Sequence, residues 1–218
     1  MDIRTLQLTL EDIYEVRTEH NIEQFVFSDG WLADRLDQSG RNIPEKLLVH
    51  EDEEGLSLSL YLDAEMLNGL AADNPLERLH HDNLADYCTV LEGVSHFVYL
   101  IWNASHDRPV TQLEMEIQAE IDKYISSVAL FAQQSDGRIP VDLCERLFDN
   151  VQFDSQLDAQ EYQRYTLAND YAARYCRKIH DHLLRVGDSV TVTREIRRFY
   201  RLIRQQKIRY IENLPTRH

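Results

Sequence analysis

Glu92 with His96 and Glu116 with Glu120 form two pairs of side chains able to ligate a metal, each pair four residues apart. On an α-helix that spacing stacks both members of a pair on one face. Two antiparallel helices can then aim all four groups inward, and carboxylates joined by an imidazole suit divalent transition ions in the way of carboxylate-bridged metal bundles. The pattern departs from the usual Glu-x-x-His repeated within four helices, because Glu-x-x-x-His occurs here once. The competing reading is structural: a His96–Glu92 hydrogen bond under apolar cover, with the other carboxylates on a solvated face.

A second constellation lies further on, where Arg174 and His180 are separated by five residues and Arg177 and His182 by four. A histidine can move a proton at a ribose hydroxyl or a leaving oxygen, and an arginine can neutralise the charge that develops on phosphate. The spacing resembles the R-x(4–6)-H motif of the HEPN ribonucleases, all-α proteins whose dimers bring Arg and His against RNA phosphate. That resemblance implies a metal-independent ribonuclease using Arg174 and His180, with His182 as a further candidate. Against it, basic residues near a helix C-terminus are commonplace, since they complement the helix dipole.

The third constellation is basic. The chain carries a formal charge of −15, yet residues 174–218 hold 12 basic and 4 acidic side chains. The pattern Thr193 to Glu212 sets Ile196, Phe199, Tyr200, Ile203, Ile208 and Ile211 against a row of arginines, of which Arg197, Arg201 and Arg204 are the candidates for binding a partner. An acidic body argues against nucleic acid, which needs clustered Lys and Arg, so single-stranded nucleic acid stacked on Phe199, Tyr200 and Tyr210 is the less favoured use of the basic segment, and two others are favoured. It either docks on the acidic body of this or a second copy, or meets a protein partner. No P-loop, GxGxxG, HExxH, GxSxG or zinc-finger spacing occurs, which removes the commoner nucleotide, protease and esterase classes. Cys88, Cys144 and Cys176 are widely spaced and suggest neither disulfides nor a zinc site.

The elements that must position these residues read as mostly helical. Leu84 to Asn103 is the organising stretch, with Leu84, Tyr87, Val90, Leu91, Val94, Phe97, Val98, Ile101 and Trp102 on one broad apolar face. Asp82 or Asn83 is placed to cap it. Thr111 with Glu114 reads as a capping box for the next helix, whose stripe runs Leu113, Ile117, Ile121, Tyr124, Val128 and Phe131. Leu157 to Val186 is a long helix closed by Gly187, with its tyrosines forming a moist packing seam. Before these, Lys46–His50 and Leu56–Leu62 flank an acidic, solvent-facing tip as a hairpin with one wet face. Leu6, Leu8 and Leu10 fit a strand or a helix equally.

The expectation is therefore a mostly α protein, a helical bundle with a small N-terminal α+β part. The α+β part spans 1–75 with hairpin 46–62, and the bundle spans 76–218, read as one continuous domain. Neither a membrane helix nor a leader is expected, so the cytoplasm is the default. Function is expected to be non-enzymatic: a regulatory or adaptor subunit without cofactor, binding a protein partner or itself through the basic helix. The ribonuclease is the alternative, and the metal site of Glu92, His96, Glu116 and Glu120 the third reading.

Overall fold

Apolar periodicity condenses into nine α-helices and three strands among the described residues, which in this computed structural model are 1–36, 43–52, 55–149 and 151–215. The first helix, α1 (Ile3–Tyr14), resolves the ambiguity of the leucine alternation. Leu6, Leu10 and Tyr14 are buried one turn apart while Leu8 stays exposed, so the period is helical. Asp2 caps it by accepting from Arg4 N.

A single turn of 3₁₀-helix precedes β1 (Val26–Phe27) and α2 (Gly30–Leu36). The hairpin β2 (Glu45–Asp52) and β3 (Gly55–Leu62) follows the expected alternation, with β1 added parallel to β3 to give the order β1-β3-β2. The register places Glu45, Leu47 and Val49 opposite Leu62, Leu60 and Leu58, on one face. The other face is less wet than expected. Near the base of the hairpin, Lys46 and Tyr61 are buried, with Lys46 Nζ 3.7 Å from Asp34 of α2, and only toward the tip do Ser57 and His50 reach solvent. Glu53 and Glu54 of the acidic tip lie outside the described residues.

After α3 (Ala64–Ala72) come the two central helices, α4 (His81–Ala104) and α5 (Gln112–Gln134). All nine apolar residues expected on the inner face of α4 are buried. The cap is one turn earlier than expected: His80 accepts from Asp82 N, and Asn83 returns a bond to His80 N. Thr111 caps α5 as its pattern implies, but Glu114 turns inward to accept from the Tyr99 hydroxyl at 2.7 Å instead of closing the box.

A short α6 (Leu143–Phe148) leads to α7 (Ala159–Val186), which begins at the Asp158/Glu161 capping box and ends at Gly187 with φ of 69°. Its innermost line is not tyrosine-rich. Ala168, Ala172 and Cys176 recur every fourth residue against the core, and Tyr162 is exposed. Small side chains let α7 lie close on α5.

The expected last helix is two: α8 (Ser189–Tyr200) and α9 (Arg204–Glu212). No proline or glycine marks the corner, where Ile203 is half exposed and its amide donates to Gln206 Oε1. The turn tucks Lys207 beneath the rings that anchor α8, with Tyr200 stacked on Tyr14 and Phe199 on Tyr175. One buried apolar cluster runs from Leu6 to Ile211. No helix among the described residues is long and apolar enough to cross a membrane.

Candidate metal centre

Pairs across α4 and α5 fix their antiparallel register: Glu92 meets Lys123, Ser95 meets Asp122, His96 meets Glu116 and Tyr99 meets Glu114. The i, i+4 spacing therefore delivers what it implies, and Glu92, His96, Glu116 and Glu120 line one side of the helix pair. A fifth ionisable residue joins them from the hairpin. Glu45, on the face of β2 that packs on α4, brings a carboxylate oxygen into a group with Glu92 and His96 whose ligand atoms all lie within 4.8 Å of one another.

Gly93 makes that approach possible. A Cβ at this position would sit 2.7 Å from Leu60 Cδ1 and 2.8 Å from Glu45 Oε1, distances that real side chains do not tolerate. A glycine inside a helix costs about 1 kcal/mol relative to alanine, and here it lets the side chains of Leu60 and Glu45 lie against the helix backbone.

Electrostatics divide the group in two. Lys123 Nζ lies 2.6 Å from Glu92 Oε2 and 2.7 Å from Glu120 Oε1. Burial disfavours both charges, but the pairing outweighs it, holding Lys123 well above and Glu92 below their ordinary ranges. The other half is less well matched. His96, only 6% exposed, has Nε2 3.3 Å from Glu116 Oε2, close enough for an ion pair but off the line a hydrogen bond needs. Burial opposes the imidazolium, yet the charges of Glu116, then Glu45 and Glu92, carry its pKa up to about 9. Glu45 is pushed up to about 8 by burial, reinforced by Glu92 and Glu116 against the pull of His96. Its Oε1 and His96 Nε2 are both closed off from solvent without a hydrogen-bond partner.

Beside this half opens a cleft of about 960 Å³ between the hairpin and the helices. Leu47, Val49, Leu100, Val110 and Met115 supply its apolar walls, and Arg164 and Tyr165 of α7 close one side. Arg164 Nε stands 3.7 Å from Glu116 Oε1, and its NH1 donates to Gln112 Oε1. Converging carboxylates and an imidazole are the donor set of a divalent transition ion once His96 gives up its proton to it, with the cleft on its open side.

The other sequence candidates fall elsewhere. Arg174 and His180 are six positions apart on α7, about 240° around the helix, and do not meet. Arg174 donates to the carbonyls of Glu212, the last residue of α9, and of Leu214 just after it. His180 is buried, and because the Val141 carbonyl at 2.9 Å can only accept, Nε2 carries the proton and Nδ1 accepts from the Tyr124 hydroxyl at 3.1 Å. Arg177 pairs with Asp149, and His182 is partly buried. Of the basic residues, Arg197 donates to Ile13 O and Asp12 O and pairs with Glu15, while Arg201 donates to Glu15 O. These two arginines satisfy the carbonyl end of α1, the docking of basic segment on acidic body within one molecule. Arg204 is exposed.

Glu45 and Gly93 are the participants that sequence reasoning missed. The signal for Gly93 was present, since a lone glycine inside a strong helical pattern marks a close approach. Glu45 carried none, because its role depends on which face of the hairpin lies on α4. No family model, no curated protein and no solved structure matches this chain.

Proposed function

We propose that this protein binds a divalent transition-metal ion through Glu45, Glu92 and His96, with Glu116 adjacent, and uses it to hold a small ligand in the cleft. The observation that carries this reading is the convergence of Glu45 Oε1 and His96 Nε2, two buried polar atoms without hydrogen-bond partners, at the edge of an open cavity. Leaving a buried polar group unpaired is unfavourable by about 1–3 kcal/mol, so two at one point indicate a partner of another kind. Three free cysteines, two of them buried, fit a reducing cytoplasm. The test is calorimetric titration of chelator-treated protein with Mn(II) and Zn(II). Saturable binding that His96→Ala abolishes supports the reading; equal binding by both proteins, or none by either, overturns it.

The adaptor reading keeps one supporting observation. With Arg197 and Arg201 engaged on α1, Arg194, Arg198, Arg204 and Arg209 remain exposed on α8 and α9 of an acidic molecule. Charge complementarity then favours a second copy as partner. Self-association seen by sedimentation at low salt, and lost when Arg194 and Arg198 are reversed to Glu, supports it. A monomer at all salt concentrations contradicts it.

A further inference from the structure

Glu116 stands between two nitrogen donors and hydrogen-bonds to neither. Its Oε2 is 3.3 Å from His96 Nε2 and its Oε1 is 3.7 Å from Arg164 Nε, and both nitrogens are closed off from solvent without a hydrogen-bond partner. The ion proposed above answers for the imidazole. Among the described residues no acceptor answers for Arg164 Nε, although the guanidinium is held in place. Its NH1 donates to Gln112 Oε1 at 2.9 Å, and its Cζ lies 5.1 Å from the centre of the Tyr165 ring. The Arg164 side chain is still 20% exposed, and it lines the same cleft as Glu45 and His96. A guanidinium offers its donors as a planar fork that the two oxygens of a carboxylate match. Next to it, half-exposed Val49 and its apolar neighbours Leu47, Leu100, Val110 and Met115 wall a cavity whose volume of about 960 Å³ falls in the range of small-molecule sites.

Resting on the metal reading above, we propose that the ligand of the cleft is a small apolar carboxylate: one oxygen coordinates the ion held by Glu45, Glu92 and His96, the other accepts from the Arg164 guanidinium, and the hydrocarbon body lies on the apolar wall. An amine or an alcohol of the same length would leave the guanidinium without an anionic partner. Charge makes the binding conditional on the metal. The carboxylates of Glu45, Glu92, Glu116 and Glu120 outnumber the cations beside them, Lys123, Arg164 and a protonated His96, until a divalent ion is added. The anion therefore follows the metal, and by linkage each tightens the other.

The experiment is calorimetric titration of hexanoate into the full chain, with Mn(II) bound and without it, after Mn(II) uptake has been measured by elemental analysis. Wild type loaded with Mn(II) binds hexanoate saturably and about tenfold or more tighter than the metal-free protein does, with hexylamine and hexanol weaker by a similar factor. Arg164→Met takes up Mn(II) as wild type does but loses about tenfold or more in hexanoate affinity, and Arg164→Lys, which keeps the charge without the fork, recovers part of it. Hexanoate affinity that is equal with and without Mn(II), or matched by hexylamine, overturns the proposal in wild type alone, which keeps it falsifiable if Arg164→Met does not fold. So does wild-type hexanoate affinity in a folded Arg164→Met. A wild type that takes up Mn(II) and ignores hexanoate removes this proposal and leaves the metal reading standing, whereas no Mn(II) uptake removes both.

Discussion

The two sides of the α4–α5 pair carry polar networks of similar size and opposite character. On the side away from the hairpin, Asp122 accepts from Tyr14, Ser95 and Gln118 at 2.5, 2.6 and 2.7 Å, and Lys207 donates to Gln118 Oε1 at 2.6 Å. Lys207 is fully buried, with its ammonium 4.4 Å from the Tyr99 ring centre and also near Phe199 and Tyr200. Each of those polar groups has a partner. On the hairpin side, buried ligand atoms are left over and a cleft lies beside them. A saturated network holds helices in place, whereas an unsaturated one beside an opening is available for binding.

Substitutions on the two sides should therefore fail differently. Asp122→Ala strands the Tyr14, Ser95 and Gln118 donors and removes one of the two carboxylates that act on Lys207, and we expect a loss of about 3–5 kcal/mol in urea unfolding. Metal uptake by the protein that remains folded should be unchanged. A variant that kept its stability but lost metal would reverse the roles of the two sides.

The sealed chamber should also contribute to the pH dependence of stability. Burial pushes Lys207 down to about 7, against the pull of Glu114 and Asp122, from 10.5 in the open chain. A lysine whose folded pKa is depressed opposes folding wherever the unfolded chain holds the proton. The contribution of Lys207 to stability should thus fall by a few kcal/mol as pH drops from about 10 to 7, then level off, while His96 and Glu45, raised to about 9 and about 8, act in the opposite direction over part of that range. Asp122, raised by burial to about 6, works the other way and relieves its own cost as pH falls below that value. Lys207→Met should gain stability relative to wild type as pH drops from about 10 to 7, measured as the difference between the two proteins' unfolding midpoints across that range. An unchanged slope would mean that Lys207 does not titrate within the folded protein.

The smallest stability effect is expected at the hinge between sheet and helix. Gly93→Ala places a methyl against Leu60 and Glu45, and overpacking of this kind costs about 1–3 kcal/mol. Its functional effect should be out of proportion, because the Glu45 side chain must shift away from the added methyl and so from His96. Metal affinity should fall at least tenfold while helical circular dichroism is retained. Wild-type affinity in this variant would show that Glu45 is not a ligand.

Much of this architecture was legible from periodicity, because the faces of α4, α5 and α7 are long and each recurrence repeats the same information. Leu6, Leu8 and Leu10 were ambiguous because three residues satisfy both periods, and only burial separates them. The corner at Ile203 was invisible because tertiary anchoring of Phe199 and Tyr200, not a local breaker, sets it. The candidate site was half legible. Glu92, His96, Glu116 and Glu120 share a helix face that spacing reveals, but the partner of each does not follow from spacing. His96 meets Glu116 instead of Glu92, since Lys123 claims Glu92. The Arg174/His180 spacing shows the converse, a motif whose members the helix turns to different neighbours.

Crystals of the protein exposed to Mn(II), with data collected where manganese scatters anomalously, address the central claim most directly. The account predicts one anomalous peak about 2.0–2.4 Å from oxygens of Glu45 and Glu92 and from His96 Nε2, bordering the cleft, and none in the Lys207 chamber. A crystal saturated with metal that shows no peak there, with His96 hydrogen-bonded to Glu116 and Glu45 turned away, would contradict it.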